Sequence, residues 1–399
     1  MKSATMRSMR SLRHRACVVS APCAKVRTIC RTQAADASNF ETLGEGKRAS
    51  IALATTVAIS FACLDRTGMM IKAFAASTLV SAACGAVTIP LLKAVEAGQF
   101  IREEGPQTHL SKSGTPTMGG CFFVPCGAMV ACVIAQWSSG VIALSIATLL
   151  YAAVGFMDDR MILAKRNNRG ISPRLKFALQ VTIGCVYLIW LRSTSAPAVF
   201  AKIPLVMGWT LPVGLAFWPL ALFTLTAESN GVNLTDGLDG LAAGTCAAAF
   251  SGMGLAVLQQ GCTDIALFSA CMAGACIGFL VHNSHKARVF MGDTGSLALG
   301  GSIGMVGVAT NSLLVLLITT FLFAIESLSV MAQVSYFKHT KKSTGVGQRI
   351  FKMAPLHHHL ELGGWPAPRG GLQETRVVSL FYALSVIFSA LGVLCAYWS

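Results

Sequence analysis

The sequence predicts an all-α integral membrane protein with about ten transmembrane helices. Apolar residues make up 54% of the 399 residues and charged residues 12%, whereas ordinary soluble domains are roughly 25% charged. The mean hydropathy is +0.62. Because no polar stretch is long enough to fold separately, we expect a single membrane domain at residues 49–399, preceded by a leader at residues 1–48.

The spans are predicted from apolar runs, since a helix needs about 20 mostly apolar residues to cross a bilayer. Ten runs qualify from about residue 73 onward. They lie at 73–93, 117–136, 140–157, 175–193, 211–228, 239–259, 264–283, 295–310, 311–336 and 376–398. A shorter run at 49–64 is an eleventh span, an interfacial helix or part of the leader, and the sequence leaves these open.

The distribution of charge supports the count of ten and orients the protein. Connections after alternate spans lie on one side of the membrane, and the connections after spans 1, 3, 5, 7 and 9 hold nearly all the basic residues. The opposite connections hold little beyond Arg192 and Lys202. By the positive-inside rule, the basic side faces the cytoplasm, or the stroma of a plastid.

The N-terminal region has the composition of an organelle transit peptide. Residues 1–50 contain 10 Lys/Arg and 3 Asp/Glu, and no acid precedes Asp36. Arginines alternate with Ser, Ala and Thr, and the apolar core of a secretory signal is missing. The alternative is a disordered basic tail that lies on anionic lipid.

Five aspartates lie at the ends of apolar spans on the basic side. They are Asp158 and Asp159 in GFMDDR, Asp236 and Asp239 in NLTDGLDGLA, and Asp293 in FMGDTGSLALGG. Carboxylates at membrane depth are costly and usually have a partner or a function, although capping of helix ends is the simpler alternative. Two carboxylates at close range do not both ionise freely unless a cation screens them, so either one has a raised pKa or the pair faces Mg²⁺ or a base partner. This arrangement is expected where a metal and a proton acceptor share a site.

Two further motifs lie in polar connections on the same side. REEGPQTHLSKSGTPTMGG contains Lys112 and Thr117, which are suited to phosphate contacts, but it is not a Walker loop and by itself is also typical of a turn. KMAPLHHHLE contains His357, His358 and His359. Consecutive side chains point in different directions, which disfavours a shared metal. We expect one or two of these imidazoles to contact an anionic substrate while the third packs.

Taken in order, five motifs make the chain resemble the phospho-N-acetylmuramoyl-pentapeptide transferase family of the polyprenyl-phosphate N-acetylhexosamine-1-phosphate transferase superfamily. The motifs are GTPTMGG, GFMDD, NLTDGLDGLA, FMGDTGSLALGG and KMAPLHHHLE, and the resemblance covers about residues 70–398. It implies transfer of phospho-MurNAc-pentapeptide from UDP-MurNAc-pentapeptide to a polyprenyl phosphate, with Mg²⁺ as cofactor, UMP as leaving group and lipid I as product. The cleft is expected on the cytoplasmic or stromal face.

The resemblance also implies roles for particular residues. Asp293 is expected to bind Mg²⁺, and Asp158 to act as base or to position the lipid phosphate, with Asp159 beside it. The three histidines are expected to contact substrate and phosphate. The expected donor-binding residues, with Phe290 stacked on uracil, are Lys112, Thr117, Asn233, Asp236, Asp239, Asn283 and Phe290. One departure stands out, because many family members have a lysine where this chain has Ile162.

Two rival functions remain at this stage. A sister enzyme that uses UDP-N-acetylglucosamine shares the aspartate motifs but is not expected to contain APLHHHLE. An ion-coupled transporter would place acids near mid-span or show a repeated half. We expect a plastid inner-envelope protein with its site facing the stroma, or a cytoplasmic-membrane protein if the leader is not a transit peptide. The expected partners are the two substrates and the bilayer, with a possible homodimer and no nucleic acid.

Overall fold

Thirteen α-helices form nearly all the regular structure in the part of the chain that the computed structural model describes. That part comprises residues 44–65, 67–95, 114–165 and 170–398, without the side chain of Pro197. The helices are α1 Glu45–Leu64, α2 Met69–Ala94, α3 Gly120–Ile134, α4 Ser139–Lys165, α5 Pro173–Thr194, α6 Phe217–Thr235, α7 Leu241–Gln259, α8 Thr263–Asn283, α9 Gly292–Ala309, α10 Leu313–Thr319, α11 Phe321–Thr344, α12 Leu356–Glu361 and α13 Glu374–Tyr397.

Seven of the described helices are long and apolar enough to cross a membrane, and the count rises to eight if α10 and α11 form one span bent by 73°. The prediction of an all-α integral membrane protein is therefore confirmed. Helix α1 is among the seven, so the short run at 49–64 belongs to a full-length helix that begins at Glu45. The count of ten spans and the leader boundary at residue 48 remain predictions.

A short β-hairpin ends inside the start of the predicted fifth span, 211–228. Strands β1 (Lys202–Pro204) and β2 (Thr210–Pro212) pair antiparallel, with Ile203 opposite Leu211. The predicted start of the span at residue 211 is wrong, because α6 begins only at Phe217. Pro212 explains the difference, since proline disfavours the helical conformation of the residue before it, and hydropathy does not separate an apolar hairpin from a helix.

Helices α7 and α8 lie at the centre of the unit formed by Glu45–Ser399. In the apolar segments of α7 and α8, 94% and 89% of the residues are buried, whereas 22% of the residues are buried in the apolar segments of α1 and α2. Small residues allow this close packing: Gly274 of α8 lies against the backbone of Phe74, and Gly252 of α7 lies against Ser389. The buried centre holds in place the two connections, α6–α7 and α8–α9, that contain three of the predicted site residues, Asp236, Asp239 and Phe290.

Candidate active site

The aspartates of α4 lie against the first turn of α9 because a glycine at the contact lets the two helices approach closely. Gly155 lies one turn before Asp158, and a Cβ at Gly155 would overlap the backbone carbonyl of Asp293. Gly120, at the start of α3, lies equally close to the backbone of Thr294 and Gly295. Helices α3, α4 and α9 therefore converge at one point, and small residues at the contacts allow them to do so.

Asp159 binds the N-terminus of α9. Its Oδ1 accepts a hydrogen bond from the backbone N–H of Asp293 at 3.1 Å, and its Oδ2 accepts from the backbone N–H of Thr294 at 3.0 Å and from the Thr294 hydroxyl at 2.6 Å. A helix N-terminus has unpaired N–H groups and a partial positive charge, so a carboxylate there is stabilising. Both oxygens of Asp159 thus hold α9 in place.

Asp158 and Asp293 instead share a lysine. The Lys176 ammonium forms an ion pair with Asp293 Oδ2 and lies 3.6 Å from Asp158 Oδ2. The backbone N–H of Ile171 donates to Asp158 Oδ1 at 2.7 Å, which fixes the carboxylate from the other side. The Asp158 and Asp293 side chains keep 10% and 23% of their surface exposed. This cluster combines acidic and basic groups that are partly exposed, which suits a binding site for a phosphate and a cation.

The end of α6 completes the cluster. Asn233 donates from Nδ2 to Asp293 Oδ1 at 2.7 Å and to the Ser296 hydroxyl at 2.9 Å. Asp236 follows α6, and the loss of hydration together with the nearby carboxylates of Asp293, Asp159 and Asp239 raises the pKa of Asp236 to about 8. A carboxyl in such a field favours a bound cation or a proton.

The described part of the first polar loop pairs with the chain before α9. Phe290 donates its backbone N–H to the Pro116 carbonyl at 2.8 Å, and the Phe290 carbonyl accepts from Gly119 N–H at 2.9 Å. The Thr117 hydroxyl and Asp159 Oδ2 both lie against Gly292, whose φ of +71° suits a glycine. Thr117 therefore lies at the aspartate cluster, while Lys112 falls outside the described residues.

Asn283 and Asp239 shape the loop between α8 and α9. Asn283 donates from Nδ2 to the Val289 carbonyl at 2.8 Å. Asp239 Oδ2 accepts from the backbone N–H of Ala287 at 3.1 Å and lies 3.2 Å from Nδ1 of His285. The Asp239 side chain is only 1% exposed, so its carboxylate supports the loop. The side chain of Phe290, at the end of the same loop, is partly exposed.

The three histidines have three different environments. His357 is buried, its Nδ1 lies 3.2 Å from Glu326 Oε2, and its Nε2 has no hydrogen-bond partner among the residues that the structure describes. That Nε2 lies against Gly237, next to Asp236. His358 Nδ1 lies 3.2 Å from Glu361 Oε2. His359 uses both ring nitrogens within its loop, since Nδ1 accepts from Lys352 N–H at 3.0 Å and Nε2 donates to the Trp365 carbonyl at 3.1 Å.

Among the described residues, one group of side chains could hold a metal ion. It consists of Asp239, His285 and Glu374, whose potential ligand atoms lie within 4.8 Å of one another. The group excludes the three consecutive histidines. In it, His285 Nδ1 lies 3.2 Å from Asp239 and 3.6 Å from Glu374, and Glu374 Oε1 accepts the backbone N–H of Asp239 at 2.7 Å. The imidazole therefore joins two carboxylates that hold the α8–α9 loop.

The sequence of the chain is similar to known transferases. Residues 141–311 match the glycosyl transferase family 4 model, and residues 112–124 match signature 1 of phospho-N-acetylmuramoyl-pentapeptide-transferase. Proteins named phospho-N-acetylmuramoyl-pentapeptide-transferase are 50% identical in Nostoc punctiforme and 51% identical in Synechococcus elongatus, each over 312 residues. These alignments cover 78% of this chain and 84% and 83% of the relatives. The chain belongs to the phospho-N-acetylmuramoyl-pentapeptide-transferase family.

Two residues of this transferase were missed by the motif analysis, namely Lys176 and Glu326. The prediction looked for a cation near Ile162, whereas Lys176 reaches the aspartates from the first turns of the next helix. The Ser172 side chain caps that helix by accepting a hydrogen bond from the Leu175 N–H, and Pro173 is its first residue. The sequence SPRLK therefore has the features of a helix start and could have predicted this one. Glu326 lies within an apolar span, where an acid is a signal of function or pairing.

Proposed function

We propose that this protein transfers phospho-MurNAc-pentapeptide from UDP-MurNAc-pentapeptide to a polyprenyl phosphate, forming lipid I and releasing UMP. The family relation supports the reaction. The observation that carries the assignment of the site is the cluster in which Lys176 joins Asp158 and Asp293, with Asn233 on the other oxygen of Asp293. Acidic, basic and amide groups meet there near the ends of the helices, and we propose that the soluble anionic donor and the membrane-bound acceptor meet at this cluster.

The residues present fit a magnesium ion. Asp293 offers a partly exposed carboxylate, and Asp158 lies on the other side of the same ammonium group. Mg²⁺ is usually held by one or two carboxylates together with substrate phosphates. We assign Asp293 as its protein ligand. When bound, the ion neutralises charge on the pyrophosphate and on the leaving UMP.

In the proposed reaction the lipid phosphate attacks directly. One of its oxygens forms a bond to the phosphorus that carries the sugar, and the bond from that phosphorus to the bridging oxygen breaks, so that UMP leaves with the electron pair. Asp158 Oδ2 accepts a proton from, or orients, the lipid phosphate, because Oδ1 is already held by Ile171 N–H. Lys176 lies between Asp158 and Asp293 and holds the phosphates in line. Asp159 contributes by keeping α9, and with it Asp293, in position.

The donor nucleoside is proposed to lie beside the α6–α7 turn and the α8–α9 loop. Phe290 stacks on the uracil, and Asn283 and Asp239 maintain the loop that presents it. Asn233 and Asp236 face the pyrophosphate side of this surface, and Thr117 extends it. Lys112, which lies outside the described residues, is proposed from its motif alone as a further phosphate contact. Of the histidines, His357 offers the unpartnered Nε2 beside Gly237 and His358 lies next to it, whereas His359 holds the loop.

We also propose that the protein resides in the inner envelope of a plastid with its site facing the stroma. The acid-free, Arg-rich N-terminal region supports a transit peptide. Relatives in Nostoc punctiforme and Synechococcus elongatus fit an inheritance from the cyanobacterial ancestor of plastids. The basic connections on the side of the motifs support the orientation.

The experiment that tests the function measures UMP release by the purified full chain in detergent, with Mg²⁺ and polyprenyl phosphate. UDP-MurNAc-pentapeptide and UDP-N-acetylglucosamine are offered separately. We expect release only with the pentapeptide donor. Release only with UDP-N-acetylglucosamine would assign the chain to the sister activity instead.

A further inference from the structure

We propose that the N-terminal half of α1 is a positioning element for the donor-binding loop between α8 and α9. Helix α1 lies outside all the motifs used above, yet its first residues contact the loop that leads to Phe290. The inference rests on the proposed function, because it assigns the α8–α9 loop to donor binding. Its consequence is that changes in α1 alter the affinity for the UDP-linked donor more than that for the lipid acceptor.

The closest contact is made by a glycine. Gly46 is buried, and a Cβ at this position would come within 2.8 Å of His285 Cβ and within 3.4 Å of both the His285 backbone nitrogen and Thr375 Cγ2. A real side chain does not approach another carbon as closely as 2.8 Å. Only a residue without a side chain lets α1 lie directly against His285.

Polar contacts attach α1 on either side of Gly46. The hydroxyls of Ser50 and Ser284 lie 2.8 Å apart, at hydrogen-bond distance, and Ser284 is the buried residue that follows α8. The Thr375 hydroxyl donates to Glu45 Oε2 at 3.0 Å, which joins α1 to the start of α13. Helix α1 is thus held against both segments that support the loop.

His285 carries this contact to the loop itself. Its Nδ1 lies 3.2 Å from Asp239 Oδ2, and the same oxygen accepts the Ala287 N–H at 3.1 Å. Glu374 lies 3.6 Å from the same ring nitrogen and accepts the Asp239 backbone N–H at 2.7 Å. A displacement of His285 therefore moves both the turn that contains Asp239 and the backbone at Ala287.

The loop continues from Ala287 to the proposed nucleoside contacts. Asn283 holds the Val289 carbonyl at 2.8 Å, and Phe290 pairs with Pro116 at 2.8 Å. The path from Gly46 to Phe290 thus consists of packed or hydrogen-bonded groups. Asp158 reaches the site from α4 and is held instead by Ile171 and Lys176, so the acceptor side has separate support.

The test uses two variants in the full-length protein, Gly46→Val and His285→Ala. We expect each to raise KM for UDP-MurNAc-pentapeptide and the Kd for UMP by about 5- to 50-fold, since small misplacements of binding groups cost up to about 100-fold, while KM for polyprenyl phosphate stays within about 2-fold. Thr55→Ala is the matched control, because Thr55 is exposed on the same helix and its hydroxyl donates only to the Ile51 carbonyl at 2.9 Å.

A conservative replacement separates positioning from stability. His285→Asn keeps a side-chain N–H donor near Asp239 and is expected to recover most of the donor affinity lost in His285→Ala at equal thermal stability. Unchanged donor KM and UMP Kd in both Gly46→Val and His285→Ala would overturn the proposal. So would an equal rise in the KM values for donor and acceptor. A wild-type protein that binds UMP without turnover would contradict the proposed reaction, not the role of α1, because UMP binding is measured without turnover.

Discussion

At the scale of single residues, the acidic groups of the proposed site divide into those that bind the backbone and those that face a lysine. Asp159 and Asp239 use their oxygens on the backbone of α9 and of the α8–α9 loop. Asp158 and Asp293 face Lys176. The motifs predicted all of these carboxylates, but adjacent residues such as Asp158 and Asp159 look alike in a sequence, and only the position of α9 separates their roles.

Replacement of Asp293 by asparagine removes the charge but preserves the shape. We expect Asp293→Asn to lower Mg²⁺-dependent kcat by about 100-fold or more, because a neutral amide is a poor ligand for a hard cation and loses the interaction with the leaving group. UMP release as a function of Mg²⁺ concentration is the measurement. Asp264→Asn is the control, since Asp264 also lies in the first turn of a helix but is exposed. Wild-type turnover in Asp293→Asn would remove the assignment.

Lys176→Met keeps the length of the side chain without the ammonium group. We expect a loss in kcat on the order of 100-fold, typical of the removal of one preorganised charge from a transition state. Lys202→Met, at an exposed position of strand β1, is expected to leave kcat unchanged. If Lys176→Met kept more than about half the activity, the lysine would have only a structural role.

The histidines differ in what their replacement should change. His358→Ala is expected to lower kcat by more than about 10-fold with little effect on thermal stability, as for the loss of a transition-state contact. His359→Ala is expected to lower the stability as well, by roughly 1–3 kcal/mol, because the buried imidazole of His359 loses two hydrogen bonds, with the Lys352 N–H and the Trp365 carbonyl, each worth about 0.5–1.5 kcal/mol. Unfolding curves and UMP release on the same samples compare the two. Equal effects on stability would contradict the division of roles.

At the scale of elements, glycines determine how closely the helices meet. Gly155 brings α4 against the backbone of Asp293, and Gly120 brings α3 against Thr294. Helix α11 leaves α10 at 73°, and its Glu326 receives the backbone N–H of Leu356 at 2.9 Å and faces His357. The bend within this apolar run therefore positions helix α12, which contains the three histidines. The prediction of one unbroken span at 311–336 did not include such a bend.

The contact between α4 and α9 can be tested with one methyl group. Gly155→Ala forces a Cβ into the Asp293 carbonyl, and overpacking of this kind costs about 1–3 kcal/mol. We expect a lower melting temperature together with a loss of activity. Gly140→Ala in the same helix is the control, because a Cβ there would meet only the Ser138 hydroxyl, at 3.9 Å. An unaffected Gly155→Ala would show that the backbones move apart without cost.

At the scale of the whole molecule, a buried centre made of α7 and α8 carries a polar face built from the connections between helices. The family relation covers 78% of the chain in the relatives named above. The role of the predicted leader at residues 1–48 is proposed from composition alone. The proposed location therefore rests on the composition of that segment.

The leader is tested by fusing residues 1–60 to a fluorescent protein in plant cells. We expect the fusion to enter plastids, because an Arg- and Ser-rich segment without acids is typical of transit peptides. The same fusion with its first six arginines replaced by glutamine serves as the control and is expected to remain outside. Delivery of the unaltered fusion to mitochondria, or its retention in the cytosol, would contradict the proposed location.

The sequence by itself determined the membrane class and the motifs, because hydropathy and the spacing of polar residues are local properties of the chain. The resemblance carried by those motifs also indicated a transferase before any contact was known. Only the tertiary structure decided that Asp159 binds α9, that Lys176 reaches Asp293 from a neighbouring helix, and that α1 lies against His285. These facts depend on which helices touch. Contacts between residues far apart in the chain, such as Gly46 and His285, arise from packing that no local pattern encodes.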